Sequence, residues 1–368
     1  MADRNRTAEM AELVPISIIT GFLGSGKTTL LRRLLADPRM GTTAVLVNEF
    51  GEVGLDHLLL RKVDEEIVLL NSGCLCCGVR DDLVETLDDL RTKRRSGAIP
   101  DFTRVVIETT GLADPAPIIH TLVSEASLIP EYGLMGLVAT VDASHGEGQL
   151  DRFAEAVKQA AMSDRLVITK TDLTDNGALT RLRSRLAALS PGAAIFDATL
   201  GAGPGPHELF DSAAFSADGK IADVRRWLDS ELDSAVSVPS CVGEGGKQGG
   251  LHEPHRHDDR IGTFCLTADE PLDWTAFTQW LALLLANRGE QLLRIKGLIN
   301  VAGRARPVVI HGVQHVFYPP GELDDWPDAD RRSRIVFITR DLSCGALDRA
   351  FRKLTERRSR LDATSRSQ

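Results

Sequence analysis

The stretch GFLGSGKT at residues 21–28 decides the fold, because it joins a predicted strand to a predicted helix. The run VPISIIT at residues 14–20 is apolar and rich in β-branched residues, and TLLRRLL at residues 29–35 has apolar positions at helical spacing. The pattern GxxxxGK[ST] in this context is typical of a phosphate-binding loop, called the phosphate loop below. Its predicted nucleotide ligands are Gly21, Gly24, Ser25, Gly26, Lys27, Thr28 and the adjoining Thr29.

A second strand-and-loop pair supplies an acid for the same site. The apolar run RVVI at residues 104–107 ends in ETTG at residues 108–111. We expect Lys27 to reach the outer phosphates, and Thr28 and Glu108 to hold Mg²⁺, with Lys27 and Glu108 as catalytic residues. Gly111 is the candidate whose amide senses the γ-phosphate. The alternative for Glu108 is a surface acid that caps the next helix.

The residues that would read the base follow a third apolar run. Thr169-Lys170-Thr171-Asp172 comes directly after the strand-like LVI at residues 166–168 and resembles the NKxD guanine motif. Asp172 can accept hydrogen bonds from the guanine N1–H and 2-amino groups, which adenine does not present, and Lys170 can pack over the base. Thr169 departs from the usual Asn, which leaves the strictness of GTP over ATP open.

Three of the six cysteines fall within four positions, at Cys74, Cys76 and Cys77 after the strand-like run 66–70. Thiolates suit Zn²⁺, with Co²⁺ as an alternative, and three sulfurs leave a coordination position open. Buried or redox-active thiols are the alternative. In the loop NEFGEVGLD at residues 48–56, Glu52 or Asp56 could orient Mg²⁺, water or the metal, or only solvate the loop.

Composition restricts the class of protein. The 43% hydrophobic and 26% charged residues predict an ordinary globular chain. The charged start, Met1 to Glu12, and the lack of a spanning apolar run predict a cytoplasmic protein without membrane contact, whose cysteines are thiols. A formal net charge of −9 argues against nucleic-acid binding, which needs clustered basic side chains.

The alternation of strand and helix patterns predicts a P-loop NTPase domain of α/β class with a mostly parallel sheet, followed by a small α+β domain. We expect a flexible start at 1–12, the first domain at 13–215, a linker at 216–260, the second domain at 261–358 and a basic tail at 359–368. The predicted first-domain strands are 14–20, 44–47, 66–70, 104–107, 134–141 and 165–168; those of the second are 261–267, 292–301, 307–318 and 333–339, with helices at 274–287 and 345–358.

These features together resemble the CobW-type family of metallochaperone GTPases, over nearly the whole chain. The resemblance is carried by the phosphate loop, residues 48–56, the C-x-C-C cluster, Glu108–Gly111 and Thr169–Asp172. It implies slow intrinsic hydrolysis of GTP to GDP, metal bound at the cysteines in a nucleotide-dependent way, and delivery to a client metalloprotein. His252, His255 and His257 in the linker fit metal collection in this family, but equally a solvated loop.

Two other functions stay open at this point. A GTP-switched metal-binding regulator or scaffold would use the same motifs without handing metal over. A P-loop kinase of a small molecule would leave the cysteine loop without a role. Zinc is the expected metal, since thiolate sites bind Zn²⁺ more tightly than Co²⁺. The metal used in the cell, the client and the oligomeric state, a homo-oligomer included, do not follow from the sequence.

Overall fold

The protein is described here by a computed structural model, which covers residues 13–47, 69–71, 79–210 and 261–353. The described chain divides into two units. The first contains the residues up to 210 except 188–192, and the second contains 261–353 together with 188–192. The predicted domain boundaries around 215 and 260 adjoin residues outside the described ranges and stay predictions.

The first unit is built on a seven-stranded sheet in the order β3-β2-β4-β1-β5-β6-β7. Every neighbouring pair of strands in it is parallel. The strands are β1 (Val14–Gly21), β2 (Thr43–Val47), β3 (Leu69–Asn71), β4 (Arg104–Glu108), β5 (Tyr132–Asp142), β6 (Arg165–Thr169) and β7 (Ala194–Asp197). The helices of this unit are α1 (Lys27–Leu35), α2 (Val79–Ser96), α3 (Ala116–Ser124), α4 (Gly146–Arg152), α5 (Ala154–Met162), α6 (Asn176–Leu189) and α7 (Pro206–Phe210).

Continuous apolar runs form the central strands because both faces of a parallel sheet are covered. In β1, Ile16, Ile18 and Ile19 are fully buried, and the leucines of α1 pack onto the same core. Since all strands point the same way, their carboxyl ends meet at one edge. The register places Glu108 beside Ile19 of β1 and beside Val47 of β2.

The second unit is an antiparallel sheet covered by helices. Its strand order is β11-β10-β9-β13-β8, with β12 paired to β10. The strands are β8 (Ile261–Ala268), β9 (Leu292–Ile299), β10 (Val308–Val313), β11 (Val316–Phe317), β12 (Gly321–Glu322) and β13 (Ser333–Arg340). Helix α8 spans Trp274–Arg288, and α9 begins at residue 344 and is described to residue 353. The Asp273 side chain caps α8 by accepting from the Ala276 amide at 2.8 Å.

The predicted fold class is confirmed, whereas the strand predictions fail at β7, at the two-residue β12 and at the β10–β11 hairpin. The pattern analysis missed β7, a short edge strand whose only large apolar residues are Ile195 and Phe196. It also predicted one strand over 307–318, where the chain forms the β10–β11 hairpin. Gln314 lies in the turn at a φ of 51°. Such a turn is difficult to recognise from the sequence, because both strands of the hairpin are buried and therefore apolar.

Two further observations bear on the sequence expectations. Among the described residues, no helix combines the length and the apolar character that crossing a membrane requires. Cys265 is a buried free thiol, as expected.

The core of the second unit offers a test of its packing. Phe277 on α8 is fully buried, with the rings of Trp274 and Trp280 each 5.9 Å away. We expect Phe277→Ala to lower the free energy of unfolding of this unit by about 3–5 kcal/mol, because it leaves a cavity. Urea unfolding followed by tryptophan fluorescence measures the loss.

Leu283→Ala is the matched control on the same helix, since Leu283 is 65% exposed. It should change the free energy of unfolding by less than about 0.5 kcal/mol. Similar losses for the two variants would contradict the assignment of α8 as the core helix of this sheet.

Candidate nucleotide site

The phosphate loop leaves β1 at Gly21 and enters α1 at Lys27. Gly26 is the N-cap of α1, with a φ of 88° that a side chain would disfavour. No side chain from the described residues caps this helix end. Its first N–H groups therefore remain available to an anion, as the sequence predicted for phosphate.

The carbonyl groups of the phosphate loop accept hydrogen bonds from side chains. Lys27 Nζ donates to the carbonyls of Gly21 and Phe22 at 2.9 and 3.2 Å. Lys170 Nζ donates to the Gly24 carbonyl at 2.7 Å, and Thr169 Oγ1 donates to the Ser25 carbonyl at 2.7 Å. With the carbonyls held on one side, the N–H groups can turn toward a ligand on the other. A phosphate can compete for Lys27, because an anionic acceptor attracts the ammonium more strongly than a neutral carbonyl does.

Thr28 and Glu108, predicted from separate motifs, lie in contact. Thr28 Oγ1 donates to Glu108 Oε1 at 2.6 Å, and Glu108 is 3% exposed. A buried carboxylate beside a hydroxyl at the end of the phosphate loop is the hard oxygen donor set that Mg²⁺ prefers. These residues fit the predicted magnesium site. Thr29 is exposed on the first turn of α1.

The loop that follows β4, residues 109–115, passes directly against the phosphate loop and is called the post-β4 loop. A Cβ built at Gly111 would lie 2.7 Å from both the Cα and the N of Leu23, so only glycine fits this approach. Gly111 is thus beside the phosphate loop, where a γ-phosphate sensor is expected. Thr109 ties the start of the same loop to β1 by donating to Thr20 Oγ1 at 2.9 Å.

The predicted base-reading residues lie on the other side of the phosphate loop. Thr169 is buried, and its hydroxyl donates to the phosphate loop. It therefore supports that loop, as the Asn of the usual motif is expected to do. Lys170 adopts a φ of 56° between β6 and a short 3₁₀ turn, Thr171–Leu173, which carries the exposed Asp172. An exposed carboxylate at this edge is accessible to a base.

Asp142 at the end of β5 is a site residue that the sequence analysis missed. Its Oδ2 pairs with Lys170 Nζ at 2.7 Å, although the residue is only 2% exposed. Burial opposes its ionisation, but hydrogen bonds from Lys170 and from the amides of Ser144 and His145 outweigh burial and lower the pKa of Asp142. The rule that found Glu108, an acid at the carboxyl end of a buried parallel strand, would also have found Asp142.

The predicted metal ligands other than Thr28 and Glu108 lie outside the described residues, which leave gaps at 48–68, 72–78 and 211–260. This applies to Cys74, Cys76, Cys77, Glu52, Asp56 and the linker residues His252, His255 and His257. Asn71 ends β3 in register with Val47, which is itself in register with Glu108. The described residues contain no group of three or more side chains that could hold a metal ion.

A family model described as the CobW/HypB/UreG nucleotide-binding domain matches residues 15–197, and the cobalamin synthesis protein cobW C-terminal domain matches residues 261–355. The zinc chaperone YjiA of Escherichia coli is 32% identical over 325 residues, covering 88% of this chain and 93% of YjiA.

A second relative and a solved structure agree with these matches. The zinc-regulated GTPase metalloprotein activator 1 of Schizosaccharomyces pombe is 30% identical over 319 residues, covering 83% of this chain and 76% of that protein. The crystal structure of Zn(II)-bound YjiA GTPase from E. coli matches with a TM-score of 0.64 at 27% identity, over 93% of this chain and 99% of that one.

The Asp142–Lys170 pair predicts a pH-dependent stability. Asp142→Asn should lower the free energy of unfolding at pH 7 by about 1–3 kcal/mol, since it removes a charged acceptor from a buried hydrogen bond. The folded-state pKa of Asp142 is lowered, so its contribution is complete above the usual Asp pKa of about 3.9. The difference between the two proteins should then shrink as the pH falls through that lowered pKa.

Thermal unfolding of both proteins between pH 7 and pH 2.5 measures this difference. His145 Nδ1 lies 3.4 Å from Asp142 Oδ2, so the comparison is repeated with His145→Ala in both proteins to remove its charge. A difference that stayed constant across the acid range would mean that Asp142 is not stabilised as an anion.

Proposed function

The chain belongs to the CobW/HypB/UreG family of P-loop GTPases, and from that premise we propose that it is a GTP-dependent zinc chaperone. In this proposal it binds Zn²⁺ at Cys74, Cys76 and Cys77, hydrolyses GTP slowly to GDP and phosphate, and passes the metal to a client metalloprotein. The GTPase activity follows the family. The cysteine site and the handover are the specific parts of the proposal.

The GTP-binding part of the proposal rests on the contact between Thr28 and Glu108 beside Lys27. Two residues 80 positions apart in the chain meet at 2.6 Å at the start of α1. When Mg²⁺ is bound, it would supply charge neutralisation for the phosphates, with Thr28 and Glu108 as its protein ligands. Lys27 adds a positive charge at the outer phosphates, and the amides of the phosphate loop orient them.

Preference for guanine would come from Asp172, with Lys170 over the base. Lys170 is held by the Gly24 carbonyl and Asp142, which restricts the ammonium to one place beside the phosphate loop. Thr169 has no side-chain amide to offer the base, and the single proton of its hydroxyl is donated mainly to the Ser25 carbonyl at 2.7 Å. We therefore expect selectivity for GTP to depend mainly on Asp172.

The metal half of the proposal rests on the order of strands. The C-x-C-C cluster follows β3, the Glu52 loop follows β2, and Glu108 ends β4; these three strands are neighbours in the sheet. Loops from neighbouring parallel strands leave the same edge, so a change at the γ-phosphate can reach the thiolates through one adjacent loop. The zinc named in the bacterial and yeast relatives supports Zn²⁺ as the cargo.

The competing function is a GTP-switched zinc regulator that keeps its metal. It would use the same nucleotide site and cysteines, but its metal would not leave on hydrolysis. Stopped-flow transfer of Zn²⁺ to a chromogenic chelator, with GTP and with a non-hydrolysable analogue, separates the two. Release only with hydrolysable GTP supports delivery, and equal release in both states supports the regulator.

Coupling between nucleotide and metal is the main testable consequence. If GTP raises the affinity for Zn²⁺ by some factor, Zn²⁺ must raise the affinity for GTP by the same factor, commonly about 5–150-fold. We would measure Zn²⁺ dissociation constants with GDP and with a non-hydrolysable GTP analogue by competition with a chelator. The pH is held fixed, since thiolate ligation releases protons.

Cys76→Ser together with Cys77→Ser should remove this coupling and leave metal-free GTP binding nearly unchanged. Cys265→Ser is the matched control, because Cys265 is a buried thiol of the second unit. Equal zinc affinity in the GDP and GTP-analogue states of the unmodified protein would refute the handover mechanism.

Base selectivity gives a second prediction. Asp172→Asn replaces a double acceptor by an amide with a single acceptor, so it should weaken GTP much more than ATP, by about 10²-fold or more. Isothermal titration with both nucleotides measures the ratio. Asp175→Asn, three residues farther along the chain at the start of α6, is the control. Equal losses for GTP and ATP would mean that this segment does not read the base.

A further inference from the structure

Two consecutive side chains of helix α5 bind the post-β4 loop through hydrogen bonds and an ion pair. Gln159 Nε2 donates to the carbonyls of Gly111 and Ala113, at 3.2 and 3.0 Å. Lys158 Nζ pairs with Asp114 Oδ2 at 2.8 Å. The other Asp114 oxygen accepts from the Ala116 amide at 3.0 Å and so links the loop to α3.

The environment of Gln159 indicates that it positions the post-β4 loop and does not serve packing alone. The residue is 1% exposed, and its carboxamide NH₂ group has two hydrogens, one for each loop carbonyl. In the described structure its Oε1 is buried without a hydrogen-bond partner. Such a buried acceptor costs free energy, and an apolar side chain of the same length would avoid that cost. The hydrogen bonds to the loop are what an apolar side chain could not make.

The same helix also touches the phosphate loop. Phe153, the N-cap of α5, stacks on Phe22 with the ring centroids 4.6 Å apart. Gly111 approaches Leu23 as closely as a residue without a side chain permits. Helix α5 therefore contacts both loops that surround the expected γ-phosphate position, one through an aromatic ring and the other through hydrogen bonds.

We propose that Gln159, supported by Lys158, is a positioning residue that holds the Gly111 amide where it can meet the γ-phosphate of GTP. This rests on the proposed GTPase function. By fixing the carbonyls on either side of residue 112, Gln159 restricts the course of the post-β4 loop. GDP lacks the γ-phosphate, so the benefit applies to GTP binding and hydrolysis and leaves GDP binding unaffected.

The test is Gln159→Met, which keeps the length of the side chain and removes both donors. We expect affinity for a non-hydrolysable GTP analogue to fall about tenfold, the size typical of losing one or two hydrogen bonds. GTP turnover should fall by a similar factor or more, while GDP affinity stays within about twofold. Nucleotide titrations by fluorescent analogue displacement give both dissociation constants.

Ser163→Ala is the matched control on α5 and its following residue. Ser163 is fully buried and donates to the Gln159 carbonyl at 2.6 Å, but this bond lies within the helix and not on the loop. It should lower stability without changing the ratio of GTP-analogue to GDP affinity. Equal weakening of both nucleotides by Gln159→Met would reduce Gln159 to a structural role and overturn the proposal.

Lys158 gives a second route if Gln159→Met does not fold. Lys158→Met should shift the same affinity ratio in the same direction by a smaller factor, because the ion pair is partly exposed. Lys158→Arg should restore the ratio by pairing with Asp114 again. If Gln159→Met does not fold, no shift of the affinity ratio with Lys158→Met would overturn the inference. If the unmodified protein neither bound the GTP analogue nor hydrolysed GTP, the proposed function itself would fail.

Discussion

The phosphate loop must turn its N–H groups toward an anion, and the rest of the site depends on this constraint. A loop can do so only if its carbonyl groups find donors elsewhere. Here the donors are the side chains of Lys27, Thr169 and Lys170, which bond four loop carbonyls. Asp142 in turn neutralises Lys170 from the end of β5. The loop is therefore held by residues from α1, β5 and β6, and its geometry is a property of the whole sheet.

The order of strands in the parallel sheet is what would allow the proposed nucleotide and metal sites to be coupled in one domain. β1 is central and carries the phosphate loop, while β4, β2 and β3 follow on one side in that order. Glu108, the loop after Val47 and the cysteine loop after Asn71 all start from this edge. The predicted base-reading residues lie on the opposite side of β1, at the end of β6.

Helix α5 adds a second support to the nucleotide site. Its hydrogen bonds to Gly111 and Ala113 and its aromatic contact with Phe22 connect the two loops through a rigid element. Such a connection makes the position of Gly111 depend on the helix as well as on the ligand. In a GTPase that couples hydrolysis to metal affinity, this would limit the post-β4 loop to few arrangements.

The sequence by itself determined the parallel α/β fold, the phosphate loop and the pairing of Glu108 with that loop, and it predicted thiolate metal donors that lie outside the described residues. These are carried by contiguous patterns whose spacing reflects the geometry of one strand, loop or helix. Only the tertiary structure decided that Asp142 holds Lys170 over a separation of 28 residues, and that Gln159 holds Gly111 over 48. It also decided the edge strand β7 and the turn at Gln314. The physical reason is that a hydrogen bond between distant residues depends on how the helices pack on the sheet, and local periodicity carries no record of that packing.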